Sequence, residues 1–306
     1  MLYGMTLINV IIKIEKNFLL IKHNIFMDKI PSELEINIKN YVIFKPKLNE
    51  ELRKAVDLWC DDRDEALNSY GHISLWDTSL ITNMSQLFLK KKNFNDNINN
   101  WDVSSVMDMS QMFEFALSFN QPLDSWDMSS VIIMTSMFRY ALSFNQPIDS
   151  WDVSLVYFME NVFDRASSFN QPLNSWNVST VTNMKNMFRN ASSFNQKIDS
   201  WDVSSVIDMS FMFYQAEAFN QPLFSWNVSS VYLMDGMFFQ AKAFNQDINS
   251  WKKSEDINPP DNFFLRSNSS ISSILTKNTT YRMFEGASSF DKNNALWHDF
   301  DYKLFI

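Results

Sequence analysis

Glycine is nearly missing from this chain. Gly4, Gly71, Gly236 and Gly286 are the only four among 306 residues, and no two share a loop. A phosphate-cradling loop needs closely spaced glycines so that backbone amides can approach the anion, and that motif is excluded. Cysteine is scarcer still. Cys60 stands alone, which rules out an intrachain disulfide and suits a reducing compartment. His23, His72 and His298 lie in three separate regions and form no motif. No nucleophile–base pair or ligand set emerges, so the sequence predicts no enzyme, no metal and no cofactor.

Positive charge and long apolar runs are also lacking. The formal net charge is −9, with acids and bases interspersed, which leaves no footprint for nucleic acid or for an anionic membrane. Ile8 to Ile12 and Phe18 to Ile21 are apolar, but Lys13, Glu15 and Lys16 divide them. A transmembrane helix needs about 20 mainly apolar residues. A signal peptide needs a basic start and a small-residue cleavage site, and neither is clear. This favours an intracellular location, with Met27 as an alternative start.

What the chain does have is a repeat of fixed length. Trp76, Trp101, Trp126, Trp151, Trp176, Trp201, Trp226 and Trp251 follow one another at steps of 25 residues without a slip. The whole unit repeats, as W-[DN]-V-S-S-V-x-x-M-x-x-M-F-x-x-A-x-S-F-N-Q-P-[LI]-[DN]-S, and it accounts for the 18 methionines and 28 phenylalanines. A period in this range marks a solenoid, a propeller or an array. Positions are counted below from each tryptophan.

Apolar residues fall at +5, +8, +11, +12, +15 and +18, as in Val131, Met134, Met137, Phe138, Ala141 and Phe144. Steps of three and four predict one face of a helix, capped by Ser129 and Ser130 and stopped near Asn145-Gln146-Pro147. The alternation in Trp-Asp-Val predicts a short strand that pairs with the next repeat. The expected fold is therefore an α/β solenoid, with one short strand and one helix per repeat.

The organisation follows. Residues 1–45 read as an N-terminal extension. Residues 46–75 read as a helical cap carrying Leu52, Ala55, Val56 and Trp59 on one face, with Gly71 as a stop. Residues 76–306 carry the repeats. Trp251 and Trp297 are 46 residues apart, one repeat plus 21, so a loop is inserted at about 252–280. Met283, Phe284, Ala287 and Phe290 then resume the register, and residues 282–306 form a C-terminal cap.

The long W-D-V-S-S-V-x-x-M-x-x-M-F-x-x-A-x-S-F-N-Q-P-L unit, over about residues 72–251 and again 282–297, resembles the BspA-like leucine-rich-repeat family of surface proteins. The resemblance implies a right-handed, leucine-rich-repeat-like coil, a role in protein binding or adhesion, a cell-surface location and no catalytic residues. Ile30-Pro31-Ser32-Glu33-Leu34, with Ile38, resembles the start of an F-box over residues 28–45. That would imply an intracellular adaptor or ubiquitin-ligase substrate receptor; an amphipathic helix opening with a proline reads the same residues without a partner.

Two recurring polar positions have competing readings. Asp77, Asp102, Asp127, Asp152, Asn177, Asp202 and Asn227 follow the tryptophans and suit either stacked calcium ligands or side chains that bond turn amides. Asparagine at two of them favours the turn. Asn120, Asn145, Asn170, Asn195, Asn220 and Asn245 suit a ladder that bonds the backbone of the next repeat. The best functional lead is where the unit varies. Ile132, Ile133, Tyr157, Phe158, Tyr232 and Leu233 occupy +6 and +7, and Phe115 and Tyr140 occupy +14. On a helix these positions oppose the core stripe, so they predict an exposed apolar face of a monomer that takes a protein partner. Burial between repeats is the competing account of the same residues.

Overall fold

Two helices lead into the repeats. In the computed structural model the described residues are 43–251, 280 and 282–295; the F-box-like motif at 30–38, residues 252–279 of the inserted loop and the tail after 295 lie outside them. Helix α1 (Asn49–Asp61) buries Leu52, Ala55, Val56 and Trp59, and Glu50 and Glu51 stand in its first turn, where the helix dipole favours negative charge. Helix α2 (Arg63–Tyr70) is capped by Asp62, whose side chain accepts from the Glu65 amide at 3.1 Å, and ends at Gly71 with φ of 70°. Trp59 meets Trp76 edge-on at 5.9 Å and donates from Nε1 to Asp96 at 3.0 Å. Arg63 holds the same Asp96 through both terminal nitrogens, at 2.9 and 2.8 Å. Lys91, which replaces the usual alanine in the first repeat, pairs with Asp57 and Asp61 of α1 at 3.0 and 3.2 Å. The departure from the consensus thus ties the helices to the first repeat.

Within the repeats the structure departs from the sequence expectation. Among the described residues 76–251 there is no helix; the stretch from +9 to +14 is a run of turns. The repeat that starts at Trp126 shows why. The amides of Met134, Ser136, Phe138 and Tyr140 donate to Phe158, Glu160, Val162 and Asp164 of the next repeat, at 2.8–3.2 Å. The amides of Met137, Arg139 and Ala141 donate within the repeat, to Met134, Ser136 and Phe138, at 3.0–3.1 Å. Alternate amides therefore point out of the repeat and into it. A helix would send every one to the fourth residue back.

These turns need left-handed backbone at +10 and +14. Ser136 and Tyr140 have φ of 59° and 58°, and the same two positions are positive from Gln86 to Gln240. A non-glycine residue there costs about 1–2 kcal/mol. Asn161, Asn186 and Asn190 tolerate it best, whereas Phe115, Tyr140 and Phe211 are held there by the bonds on either side. Gly236 is required for a second reason: a Cβ on it would lie 2.7 Å from the ring of Phe211 in the preceding repeat.

The inter-repeat pairing also falls elsewhere than expected. Single parallel bridges link Asn83, Asp108, Ile133, Phe158, Asn183, Asp208 and Leu233, all at +7, rather than the Trp-Asp-Val stretch. Between +5 and +18 the apolar side chains turn inward and stack in files. Phenylalanines at +12, from Phe88 to Phe238 and on to Phe284, lie nearly parallel at 5.4–5.8 Å. Those at +18, from Phe94 to Phe244 and on to Phe290, stack at 5.7–6.1 Å. Each tryptophan from Trp101 to Trp251 is buried and donates from Nε1 to a carbonyl 28 residues back, as Trp176 does to Ile148 at 2.9 Å. That bond satisfies the one polar atom of an otherwise apolar ring.

The asparagine ladder is present. Asn170 Oδ1 accepts from the amide of Asn195 and from Gln196 Nε2, both at 2.9 Å, and the pattern runs from Asn95 to Asn245. The residues after the tryptophans close turns inside one repeat, as Asp152 does by accepting from the Ser154 amide at 3.0 Å and Asn177 from the Ser179 amide at 3.2 Å. These bonds from Ser154 hold the Asp152 carboxyl below the usual carboxylate range. Among the described residues no group of acids, histidines or cysteines is arranged to hold a metal ion.

Two predictions follow from this packing. Phe163→Ala removes a fully buried ring stacked on Phe138, Phe169 and Phe188 and costs about 3–5 kcal/mol. Because coupling runs through neighbours, its denaturation curve separates into more than one step; a single, unshifted transition would contradict this packing. Asn170→Ala strands the Asn195 amide, while Gln196 Nε2 keeps its bond to the Asn170 carbonyl, and costs about 1–3 kcal/mol, whereas Asp152→Asn is close to neutral because asparagine already makes the same turn at Asn177. Equal losses in urea titrations of the two variants would refute the distinction.

Candidate functional site

The residues singled out from the sequence fall into two separate files. The first runs along +6. Met107 donates to the Thr82 carbonyl, Ile132 to Met107, Tyr157 to Ile132, Thr182 to Tyr157, Ile207 to Thr182 and Tyr232 to Ile207, at 2.7–3.2 Å. The side chains at +6 are thereby held one repeat apart. Met107, Ile132 and Tyr157 are 49%, 38% and 48% exposed, and Leu155 at +4 stands exposed beside them. Three adjacent repeats thus present a continuous apolar file to solvent. Its backbone amides and carbonyls are already used, so a partner would be held by side chains and not by an added strand.

The file changes character along the chain. Ile133, Phe158 and Leu233 at +7 belong to the parallel bridges and are half-buried. Tyr232, expected on the exposed face, is buried. The expectation of an exposed helical face at these positions is therefore corrected to the edge of a parallel ladder. Only Ile132 and Tyr157 of the predicted residues lie well exposed on it, and the sequence reading missed Met107 and Leu155. The signal was available: they are the apolar residues where other repeats carry threonine at +6 or serine at +4.

The second file lies at +13 and +14. Phe115 and Tyr140 stack at 4.2 Å, and Tyr214 and Phe239 at 4.7 Å. Between these pairs the +13 position alternates in charge: Glu114, Arg139, Asp164, Arg189. Arg139 donates to Glu114 Oε1 at 2.9 Å and to Asp164 Oδ2 at 3.0 Å. Arg165 and Arg189 approach the same Asp164 carboxylate at 3.9 and 4.0 Å. Both acids are buried, with the side chains 4% and 1% exposed. Burial lifts the Asp164 carboxyl above the usual carboxylate range and outweighs the pull of the surrounding guanidiniums. Arg139 and Arg165 flank the Tyr140 ring at 5.3 and 5.0 Å, and Arg189 lies 5.3 Å from the Tyr214 ring. This charge ladder was not found from the sequence, because the unit was read along the chain; reading one position down successive repeats displays it.

Other reactive side chains are placed structurally. Burial pushes the Cys60 thiol up to about 11, far from a nucleophilic thiolate. Asp208 is buried at +7, where its carboxyl is raised by burial and accepts from the Ser210 amide at 2.7 Å.

The ladder generates a test of its own. Arg139→Ala leaves two buried carboxylates without their hydrogen-bonding cation. It costs about 2–4 kcal/mol, less than for a fully enclosed pair because Arg165 and Arg189 still face Asp164. Without Arg139 the folded-state pKa of Asp164 lies further above the unfolded one, so the folded variant binds more protons. Its stability then rises as the pH falls from about 7 to about 5, narrowing the gap to the parent. Urea midpoints across that range measure the gap, and a gap that stays constant or widens would count against the buried charges.

A family model described as a Mycoplasma protein of unknown function, DUF285, matches residues 62–176 and again residues 157–274. No curated protein and no solved structure matches the chain.

Proposed function

The chain belongs to that family, DUF285, and from this premise we propose that it is a non-enzymatic repeat protein, a leucine-rich-repeat-like solenoid of the BspA-like kind, that binds other proteins through an exposed face. The observation that carries the reading is the +6 file. Met107, Ile132 and Tyr157 are apolar, exposed and fixed one repeat apart by a continuous backbone ladder. Isolated exposed apolar residues are ordinary, but a contiguous row on a rigid frame is a recognition surface. Preorganisation matters here, because a partner then loses little free energy to ordering the surface it meets.

Repetition supports the same reading. The inward positions are almost fixed in type from one repeat to the next, while +6, +13 and +14 differ. Packing constrains the first set, so the second is where recognition can be written without loss of the core. Among the described residues no helix is long and apolar enough to cross a membrane.

Ile132→Ser with Tyr157→Ala tests the reading, since both side chains point into solvent and their removal leaves the core intact. The pair is expected to abolish capture of the proteins that the parent chain retains by cross-linking, with a melting temperature within a few degrees of the parent. An unchanged set of captured proteins would remove the file as the site. A large fall in melting temperature would show that the two residues pack between repeats.

A further inference from the structure

The +13 and +14 file holds two arginines that the protein's own hydrogen bonds do not use. Arg139 is committed, to Glu114 and Asp164. Arg165 and Arg189 make no side-chain hydrogen bond among the described residues, and reach Asp164 only at 3.9 and 4.0 Å. Arg165 Nε and Asn190 Nδ2, at +14 of adjacent repeats, are buried donors without a hydrogen-bonded acceptor, and Asp164 Oδ1, which faces Arg165 Nε at 3.9 Å, is a buried acceptor without a donor, so the terminal nitrogens of the guanidinium are the donors a ligand would meet. Both arginine side chains are about a third exposed. Each is placed beside a tyrosine, Arg165 by Tyr140 and Arg189 by Tyr214, which limits how far the guanidinium can move.

We propose that Arg165 and Arg189 bind the carboxylates of an acidic, extended segment of a partner protein. This rests on the reading of the chain as a protein-binding repeat and names the chemistry of a second surface on it. Charge carries the choice of ligand. The chain has a net charge of −9, yet here three arginines in successive repeats face outward over two acids that are buried. A guanidinium offers paired donors in a planar fork that fits a carboxylate, and arginine and tyrosine are the residue types that dominate binding energy at interfaces. Spacing carries the choice of an extended segment. Adjacent repeats are set apart as their ring files show, at 5.8 Å from Phe138 to Phe163 and 5.6 Å from Phe163 to Phe188. Alternate side chains of an extended strand recur at roughly 6.6–6.8 Å, close enough for two acids in an x-Glu-x-Glu pattern to address two successive repeats. A long polyanion such as a nucleic acid would extend past this local patch over a chain whose net charge is −9.

The probe is a fluorescein-labelled Glu-Ser-Glu-Ser-Glu peptide, with Gln-Ser-Gln-Ser-Gln as its neutral control, titrated by anisotropy against the full chain. The acidic peptide is expected to bind, to weaken about tenfold for Arg165→Gln with Arg189→Gln, and to weaken further as salt is raised. The Arg165→Lys with Arg189→Lys variant keeps the charge but not the fork, and is expected to fall between the two. Melting curves of both double variants separate loss of binding from loss of fold. No binding by the parent chain, equal binding of the neutral peptide, or equal binding by the glutamine variant each overturns the proposal. So does sedimentation showing that the parent self-associates and the glutamine variant does not, which would assign the arginines to carboxylates of a second copy. None of these outcomes touches the Ile132 and Tyr157 file, so the broader reading stands or falls separately.

Discussion

The backbone bond from one repeat to the next is the constraint on which the rest depends. Between +8 and +14 every second amide leaves its own repeat, so a single repeat has no way to satisfy them alone. Those bonds fix the distance between repeats, and the side chains must then stack at that distance. This is why flat rings recur at +12 and +18: a phenylalanine laid parallel to its predecessor matches a layer spacing of 5.4–6.1 Å. It is also why the buried polar atoms are arranged as ladders. An asparagine oxygen that accepts from the next repeat, and an indole nitrogen that donates to the previous one, are both exact matches to a one-repeat step.

The same bonds explain the strained backbone. A left-handed residue at +10 or +14 is unfavourable in isolation, yet each of these residues donates its amide to the next repeat. The conformation is what aims that amide outward. Local cost and long-range bond are two sides of one geometry, and the repeated choice of asparagine at 161, 186 and 190 lowers the cost where the side chain allows it. Phe211 takes the position with a large ring, and the next repeat answers with Gly236, where a missing Cβ makes room for it.

Much of this was legible in the sequence, and the parts that were not share a cause. The inward positions, the turn made by the residue after each tryptophan and the asparagine ladder all follow from residue type and a period of 25. The expected helix did not appear, because steps of three and four apolar residues describe a helix face and a run of tight turns equally well. What separates the two is where the amides go, and periodicity within one unit carries no information on that. The strand was misplaced for a related reason: alternation over three residues, Trp-Asp-Val, is shorter than the pattern that identifies a strand. At the surface the apolar row was partly visible, through Ile132 and Tyr157, but Tyr140 was grouped with them on the helical assumption and belongs to a different file.

The two files divide the surface by the kind of selectivity each can supply. At +6 the exposed groups are apolar and the backbone is saturated, so contact there is governed by shape and by the area removed from water. At +13 and +14 the buried acids do not neutralise the arginines completely; they hold them, and the tyrosines restrict their motion. A charge fixed in place discriminates more sharply than a mobile one, because a mismatched partner gains nothing from rearrangement. On the proposed reading, an acid out of register would find no guanidinium fork, and a neutral segment would leave the donors desolvated without an acceptor. A stack of near-identical repeats would, on the same reading, acquire position-specific recognition from changes at a few outward positions while the inward apolar files stay the same.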